Sequence, residues 1–247
     1  MEVRMKGLYE RSELSFALVW IVTYCALQSL ANPLNKMIGT QYSVSAVFCI
    51  LQSIVMVGFL KRNGLFKQYG LCKSVVPAAK FLYYIPLFIL ATGNLWNGAV
   101  LKHSPADTAC RIACMLCVGF LEEVIFRGFL FKALAKENVR TAILVSSVTF
   151  GLGHILNLIN GSGTEFADNL WQVIVAIAIG LLFVLLFYFG GSLIPCILTH
   201  SAINVLSTFA KETGLTVEKG IALHLIMLAV IGIYSLILIK TFLGNPD

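Results

Sequence analysis

Long apolar segments separated by short polar connections run through the whole chain. Eight of them approach the 20 or so residues that a helix needs to cross a bilayer, at residues 14–31, 43–60, 81–101, 108–131, 141–159, 170–189, 192–209 and 221–243. Pro86 and Gly93 interrupt the third segment. A transmembrane β-barrel is not predicted, because its strands alternate over only about ten residues. The pattern predicts an all-α, polytopic membrane protein with about eight transmembrane helices, folded as a single domain over residues 1–247.

The composition agrees with this interpretation. The chain is 58% hydrophobic and only 12% charged, whereas soluble domains are about a quarter charged. Its mean hydropathy is +0.87, which argues against a soluble enzyme or a disordered chain. The seven cysteines are an odd number without regular spacing, so no disulfide framework is predicted.

The net charge of +6 is attributed to membrane topology and not to nucleic-acid binding. If the N-terminus lies inside, the inner connections carry twelve basic residues and the outer ones four. This bias follows the positive-inside rule. We therefore expect an integral membrane protein with both termini in the cytoplasm. The sequence makes no prediction of its oligomeric state.

Three charged residues lie inside the fourth apolar segment, namely Glu122, Glu123 and Arg127. Each unpaired charge at the bilayer centre costs about 2.5–3.5 kcal/mol, and such residues usually serve a function. Glu123 and Arg127 are four residues apart, so they can form an ion pair on one helix face. Glu122 is rotated by about 100° from that face and needs a different partner.

The fifth and seventh segments carry the polar residues His154, His200 and Asn204. His200 and Asn204 share one helix face because they are four positions apart. Their depths along the helices would let all of them line one cavity with Glu122. A glutamate in an apolar cavity can act as a general base toward water, and a histidine and an asparagine can stabilise an oxyanion. Peptide hydrolysis by water is the chemistry that this set favours.

Other interpretations of the same residues remain open. Two histidines and a glutamate also form a familiar zinc site, with Glu122, His154 and His200 as the ligands. We favour a mechanism that needs no cofactor, because the helical His-Glu-x-x-His signature of zinc proteases is absent and ligands on three separate helices are not indicated by spacing. A transporter that uses the buried groups to relay protons is a further alternative, as is a non-catalytic immunity or binding protein.

These residues resemble the motifs of the CAAX protease and bacteriocin-processing family, also called the Abi family of intramembrane proteases. The family pattern is Glu-Glu-x-x-x-Arg, then Phe-x-x-x-His, then His-x-x-x-Asn/Asp on successive helices. The chain matches it in order at seven positions, which are Glu122, Glu123, Arg127, Phe150, His154, His200 and Asn204. They lie in the predicted core, about residues 108–209.

The resemblance implies an endopeptidase that acts on a membrane-associated protein or peptide within the lipid bilayer. It implies that Glu122 is the base, that His154 helps to bind the water, and that His200 and Asn204 stabilise the oxyanion. The supporting residues of the site would be Glu123, Arg127 and Phe150. The short chain is most similar to bacterial members, so we expect a bacterial cell membrane and a role such as bacteriocin immunity.

Overall fold

The computed structural model describes residues 2–159 and 166–244, and its regular structure is helical. The α-helices, in chain order, are α1 Glu2–Arg11, α2 Glu13–Ile38, α3 Ser43–Arg62, α4 Ile85–Ala91, α5 Pro105–Glu122, α6 Lys132–Ala135, α7 Val139–Gly153, α8 Leu156–Ile159, α9 Phe166–Gly190, α10 Ile194–Ser207 and α11 Val217–Leu243. Short 3₁₀ stretches flank α4, at Ala78–Tyr84 and Gly93–Leu95. No β-strand occurs in the described ranges, apart from an isolated bridge between Ala99 and Ala210. The predicted all-α class is confirmed.

The predicted number of about eight transmembrane helices is not confirmed. Among the described residues, five stretches are long and apolar enough to cross a membrane, namely Glu13–Ile38, Ser43–Arg62, Ala78–Leu95, Phe166–Gly190 and Val217–Leu243. The apolar helices α7 and α10 are shorter than these. They fall short because α7 stops at Gly153, next to His154, and α10 stops at Ser207.

The third predicted segment is helical but broken. Its backbone has positive φ angles of 50°, 52° and 60° at Leu82, Tyr83 and Tyr84, a conformation that is unfavourable for residues with a Cβ. A regular helix resumes at Ile85, with Pro86 in its first turn, where proline is tolerated. The interruption therefore begins a few residues before Pro86, and a second break follows at Thr92 and Gly93.

The helix that carries the acidic motif changes its winding at the motif itself. Residues Pro105–Glu122 are α-helical, and residues Glu123–Phe131 form a π-helical segment before α6. Within this segment the backbone carbonyl of Phe126 accepts a 2.8 Å hydrogen bond from Ser146 Oγ on α7. Such π-helical turns are rare and occur frequently at functional sites. The sequence pattern did not predict this change.

The described buried apolar side chains form three clusters, the smallest of which contains Phe131 and Phe187. One apolar cluster joins α2, α3 and the π-helical segment, with Phe16, Phe59 and Phe129 among its buried residues. A second cluster joins α9 and α11, with Phe183 and Tyr234. On the outer surface many large apolar side chains are exposed. Such a surface suits contact with lipid, as expected of an integral membrane protein.

Candidate active site

A close approach between α5 and α10 brings the acidic motif next to His200. A Cβ atom built on Gly119 would lie 2.4 Å from Ser201 Oγ and 2.7 Å from the backbone nitrogen of Ser201. Ser201 also donates a 3.2 Å hydrogen bond from Oγ to the carbonyl of Leu116, which ties the two helices together. Glycine at 119 therefore sets the distance between the two helices.

The close approach of Ser201 to Gly119 predicts that a methyl group added at position 119 destabilises the protein. We expect Gly119→Ala to lower stability by about 1–3 kcal/mol, the usual cost of overpacking a core, and to move His200 away from Glu123. Thermal unfolding of the purified protein measures the change. Gly58→Ala is the matched control, because a Cβ on Gly58 in α3 would meet nothing within 4 Å. A Gly119→Ala protein as stable as the Gly58→Ala protein would contradict the prediction.

Glu123 binds both Arg127 and His200 in a buried network of polar side chains. Its Oε1 atom accepts a 3.0 Å hydrogen bond from Arg127 Nη1, and neither side chain is exposed to solvent, at 0% each. The same oxygen lies 2.8 Å from His200 Nδ1. Because an ionised carboxylate can only accept hydrogen bonds, Nδ1 of His200 must carry the proton here. The ion pair expected from the spacing of Glu123 and Arg127 therefore forms, and it also orients the His200 ring.

Aromatic rings surround the guanidinium of Arg127. Its Cζ atom lies 3.9 Å from the ring centroid of Phe150 and 5.7 Å from that of Phe183. A cation over an aromatic face is stabilised by the ring quadrupole, more so where water is excluded. Among the described residues, Nε and Nη2 of Arg127 have no hydrogen-bond partner. The rings of Phe150 and Phe183 compensate in part for that missing hydration.

Glu122 has different surroundings from its neighbour. Its side chain is 14% exposed, and its Oε2 atom lies 3.5 Å from Nε2 of His200. Its Oε1 atom accepts a 2.7 Å hydrogen bond from the hydroxyl of Tyr24 on α2. The two glutamates therefore sit on opposite nitrogens of His200. Only Glu122 retains some access to solvent.

His154 stands at the end of α7, beside the same aromatic wall. Its ring centroid is 5.6 Å from that of Phe150, and the His200 ring is 5.7 Å from Phe150 on edge. It is close enough to interact with the charges of Glu122, His200 and Arg127. Asn169 on α9 donates a 2.9 Å hydrogen bond to the backbone carbonyl of His154. That bond holds the end of α7 where the regular helix stops.

Asn204 lies one turn beyond His200 on α10 and is partly buried. Within the described part of the chain, its side chain forms no hydrogen bond to Glu122, Glu123 or His200. Its backbone carbonyl accepts a 2.7 Å hydrogen bond from Ser207 Oγ. Six of the seven motif residues therefore lie together in one cluster, namely Glu122, Glu123, Arg127, Phe150, His154 and His200. Asn204 is linked to them through α10.

The zinc alternative requires three side chains that can share one ion. No group of three histidine, cysteine, aspartate or glutamate side chains in the described ranges is arranged to hold a metal. His200 directs Nδ1 to Glu123, which is also usual for a histidine that binds a metal through its other nitrogen, and its Nε2 atom lies 3.5 Å from Glu122 Oε2. A zinc ion at this pair would need a third ligand, which the described arrangement does not supply.

Tyr24 and Asn169 also contact the cluster, although the sequence pattern did not predict them as site residues. Both are almost buried, at 7% and 2% exposed, and each makes a polar contact within the cluster. A signal for Tyr24 does exist, since a phenol hydroxyl buried in an apolar helix usually finds a hydrogen-bond partner. That signal does not identify the partner, which is Glu122, 98 positions further along the chain.

The fold and this cluster define a class of protein: an integral membrane protein whose helices enclose two carboxylates, an imidazole and a guanidinium. Residues 104–206 match the family model of Rce1-like proteins, described as type II CAAX prenyl endopeptidases. The matched segment contains all seven motif positions named above. The resemblance to the CAAX protease family is thereby confirmed, and the family suggests intramembrane protease activity. Comparisons with curated proteins and with solved structures found no match.

Proposed function

We propose that this protein is an intramembrane endopeptidase that uses Glu122 to activate a water molecule against a peptide bond. The observation that carries this proposal is the contrast between the two glutamates. Glu123 is fully buried and holds both Arg127 and His200. Glu122 is partly exposed, and the ion pair of its Oε2 atom with His200 Nε2 is 3.5 Å long. A general base must reach the proton that it removes, and Glu122 meets that requirement.

The proposed reaction assigns one role to each remaining group. Glu122 takes a proton from water as the water oxygen bonds to the peptide carbonyl carbon, and that proton later passes to the leaving amine as the C–N bond breaks. Nε2 of His200, with the amide of Asn204, donates hydrogen bonds to the oxyanion. His154 helps to bind the water. Donors aimed at a developing charge supply the largest single contribution in many enzymes.

The charges of the cluster can remain balanced through this step. With both ring nitrogens of His200 protonated, Glu122 and Glu123 offset His200 and Arg127, and the net charge is zero. When Glu122 takes the proton, the negative charge moves to the oxyanion and the sum is unchanged. Since a net charge in a site shielded from water is costly, this balance favours the proposed reaction.

The substrate and the orientation belong to the same proposal. A site among helices whose outer faces contact lipid suits a membrane-associated protein or peptide as substrate. The surplus of basic residues in the inner connections supports cytoplasmic termini in a bacterial membrane, with the site reached from the cytoplasmic side.

Cleavage of membrane-anchored peptides tests the proposal directly. Purified protein in liposomes would be given a peptide library anchored at one end, with and without a prenyl group, and in the presence or absence of a strong chelator. We expect cleavage that survives the chelator. Cleavage that is lost with chelator and restored by zinc would contradict the metal-free mechanism. No cleavage by folded wild-type protein would contradict protease activity, and ion flux would be measured next.

Replacing Asn204 tests the oxyanion role. Loss of one oxyanion donor typically lowers kcat by about 100- to 1,000-fold, so we expect Asn204→Ala to fall in that range while the protein still folds. Asn138→Ala is the control, since Asn138 accepts a 3.0 Å hydrogen bond from the Thr141 backbone at the start of α7 and lies outside the cluster. It should cost about 1 kcal/mol of stability and leave kcat unchanged. Normal turnover by Asn204→Ala would exclude the assigned role.

A further inference from the structure

Tyr24 connects the part of the chain outside the matched family segment to the candidate active site. It lies on α2, whereas the match to the family begins at residue 104. Its hydroxyl donates a 2.7 Å hydrogen bond to Glu122 Oε1, and its side chain is almost buried, at 7% exposed. A short hydrogen bond from a buried hydroxyl to a carboxylate belongs to the strong, charge-assisted class.

We infer that Tyr24 is a positioning residue that determines which oxygen of Glu122 acts as the base. This inference rests on the proposed function. Because Oε1 is occupied by the Tyr24 hydroxyl, Oε2 is the oxygen left to face His200 Nε2, at 3.5 Å. A carboxylate held at one oxygen also loses rotational freedom about its terminal bond. Tyr24 thereby aims the free lone pairs of Oε2 at the space beside His200.

The surroundings of Tyr24 agree with this role. The helix α3 and the π-helical segment pack beside α2, and the buried thiols of Cys49 on α3 and Cys114 on α5 lie 3.9 Å apart. One turn after Tyr24, Gln28 donates a 3.1 Å hydrogen bond to Cys49 Sγ. The only charged group that this tyrosine contacts among the described residues is Glu122. Its hydroxyl therefore has a single strong acceptor.

The substitution Tyr24→Phe removes the hydroxyl and keeps the ring. We expect kcat to fall by about 10- to 100-fold, the equivalent of one hydrogen bond to a charged group, with KM unchanged. The matched control is Tyr234→Phe, because Tyr234 is also buried, at 1% exposed, and donates a 2.8 Å hydrogen bond to the Phe81 carbonyl. That variant should lose a similar amount of thermal stability and keep its kcat. Equal losses of kcat in the two variants would overturn the inference.

A thermal-unfolding cycle separates this inference from the proposed function. Tm would be measured for Tyr24→Phe, Glu122→Ala (which removes the acceptor of the Tyr24 hydrogen bond) and the double variant, each as purified full-length protein. If the hydroxyl and the carboxylate interact, the double variant loses less than the sum of the single losses. Additive losses, or a Tyr24→Phe protein with full kcat, would overturn the role of Tyr24 while wild-type cleavage upheld the protease. Absence of wild-type cleavage would overturn the protease function, and the positioning role with it.

Discussion

Glu122→Gln is expected to lower kcat by about 100- to 10,000-fold, the range that general-base catalysis contributes. The amide keeps the size of the carboxylate, and its oxygen can still accept the hydrogen bond from Tyr24. It cannot take a proton from water, however, so the chemical step fails while the fold persists. Single-turnover cleavage of the best peptide from the library would measure the loss, and the unfolding temperature would verify that the protein is folded.

Glu137→Gln is the charge-matched control for this substitution. Glu137 is exposed and lies between α6 and α7, so its neutralisation removes the same charge without touching the cluster. It should leave both kcat and Tm near the wild-type values, within the small range of surface changes. Full turnover by folded Glu122→Gln would show that a different group activates the water, and the assignment would be wrong.

Arg127→Met is expected to produce the largest loss of stability, about 3–5 kcal/mol. The substitution leaves Glu123 as a buried carboxylate without its cationic partner, at a position with no exposure to solvent. It also removes the guanidinium from its place over Phe150. Chemical or thermal unfolding in detergent micelles would measure the change.

An exposed ion pair provides the comparison for Arg127. Lys136 and Glu13 are 2.7 Å apart, with 61% and 19% of their side chains exposed, and such pairs contribute about 0–1 kcal/mol. Lys136→Met should therefore have little effect. Adding Glu123→Gln to Arg127→Met should restore part of the lost stability by removing the unpaired charge. A double variant no more stable than Arg127→Met would contradict the buried-charge explanation.

Glu122→Gln and Arg127→Met alter opposite sides of the His200 ring. Glu123, which is paired with Arg127, binds His200 at its Nδ1 atom, and Glu122 faces the Nε2 atom of the same ring. Arg127→Met should therefore lower kcat as well as stability, because Glu123 orients His200 and would lose the ion pair that holds it in place. Replacing the Glu122 carboxylate by the amide of glutamine should affect turnover alone, because the hydrogen bond from Tyr24 is kept. The ratio of the two effects in each variant distinguishes a structural role from a chemical one.

The sequence alone predicted the class of the protein and its resemblance to the CAAX protease family, which the family match over residues 104–206 supports. Apolar segments near bilayer length predict helices because the pattern is local, and the predicted segments coincide with helical structure. The motif residues were identified for the same reason, since an ionisable group inside such a segment is conspicuous without any tertiary information. The pairing of Glu123 with Arg127 could also be predicted, because it depends only on the geometry of one helix.

Other features depended on how the helices pack. The helices α7 and α10 end too early to reach the length of a membrane span, and hydropathy alone does not detect such ends. Hydropathy also does not show the break in the backbone at Leu82 to Tyr84. The π-helical winding at Glu123 follows from contacts with neighbouring helices, including the hydrogen bond from Ser146. Intrinsic preferences along a chain do not encode that kind of distortion.

The site itself was decided by tertiary structure. Spacing along the chain could not tell which glutamate would be buried, since adjacent residues differ only in the face that each presents. That outcome followed from the approach of α10 at Gly119, which put His200 between the two carboxylates. Tyr24 reached Glu122 from a helix 98 positions away. Contacts between distant helices arise from side-chain packing, which no local pattern specifies, and here they separate the proposed base from its buried neighbour.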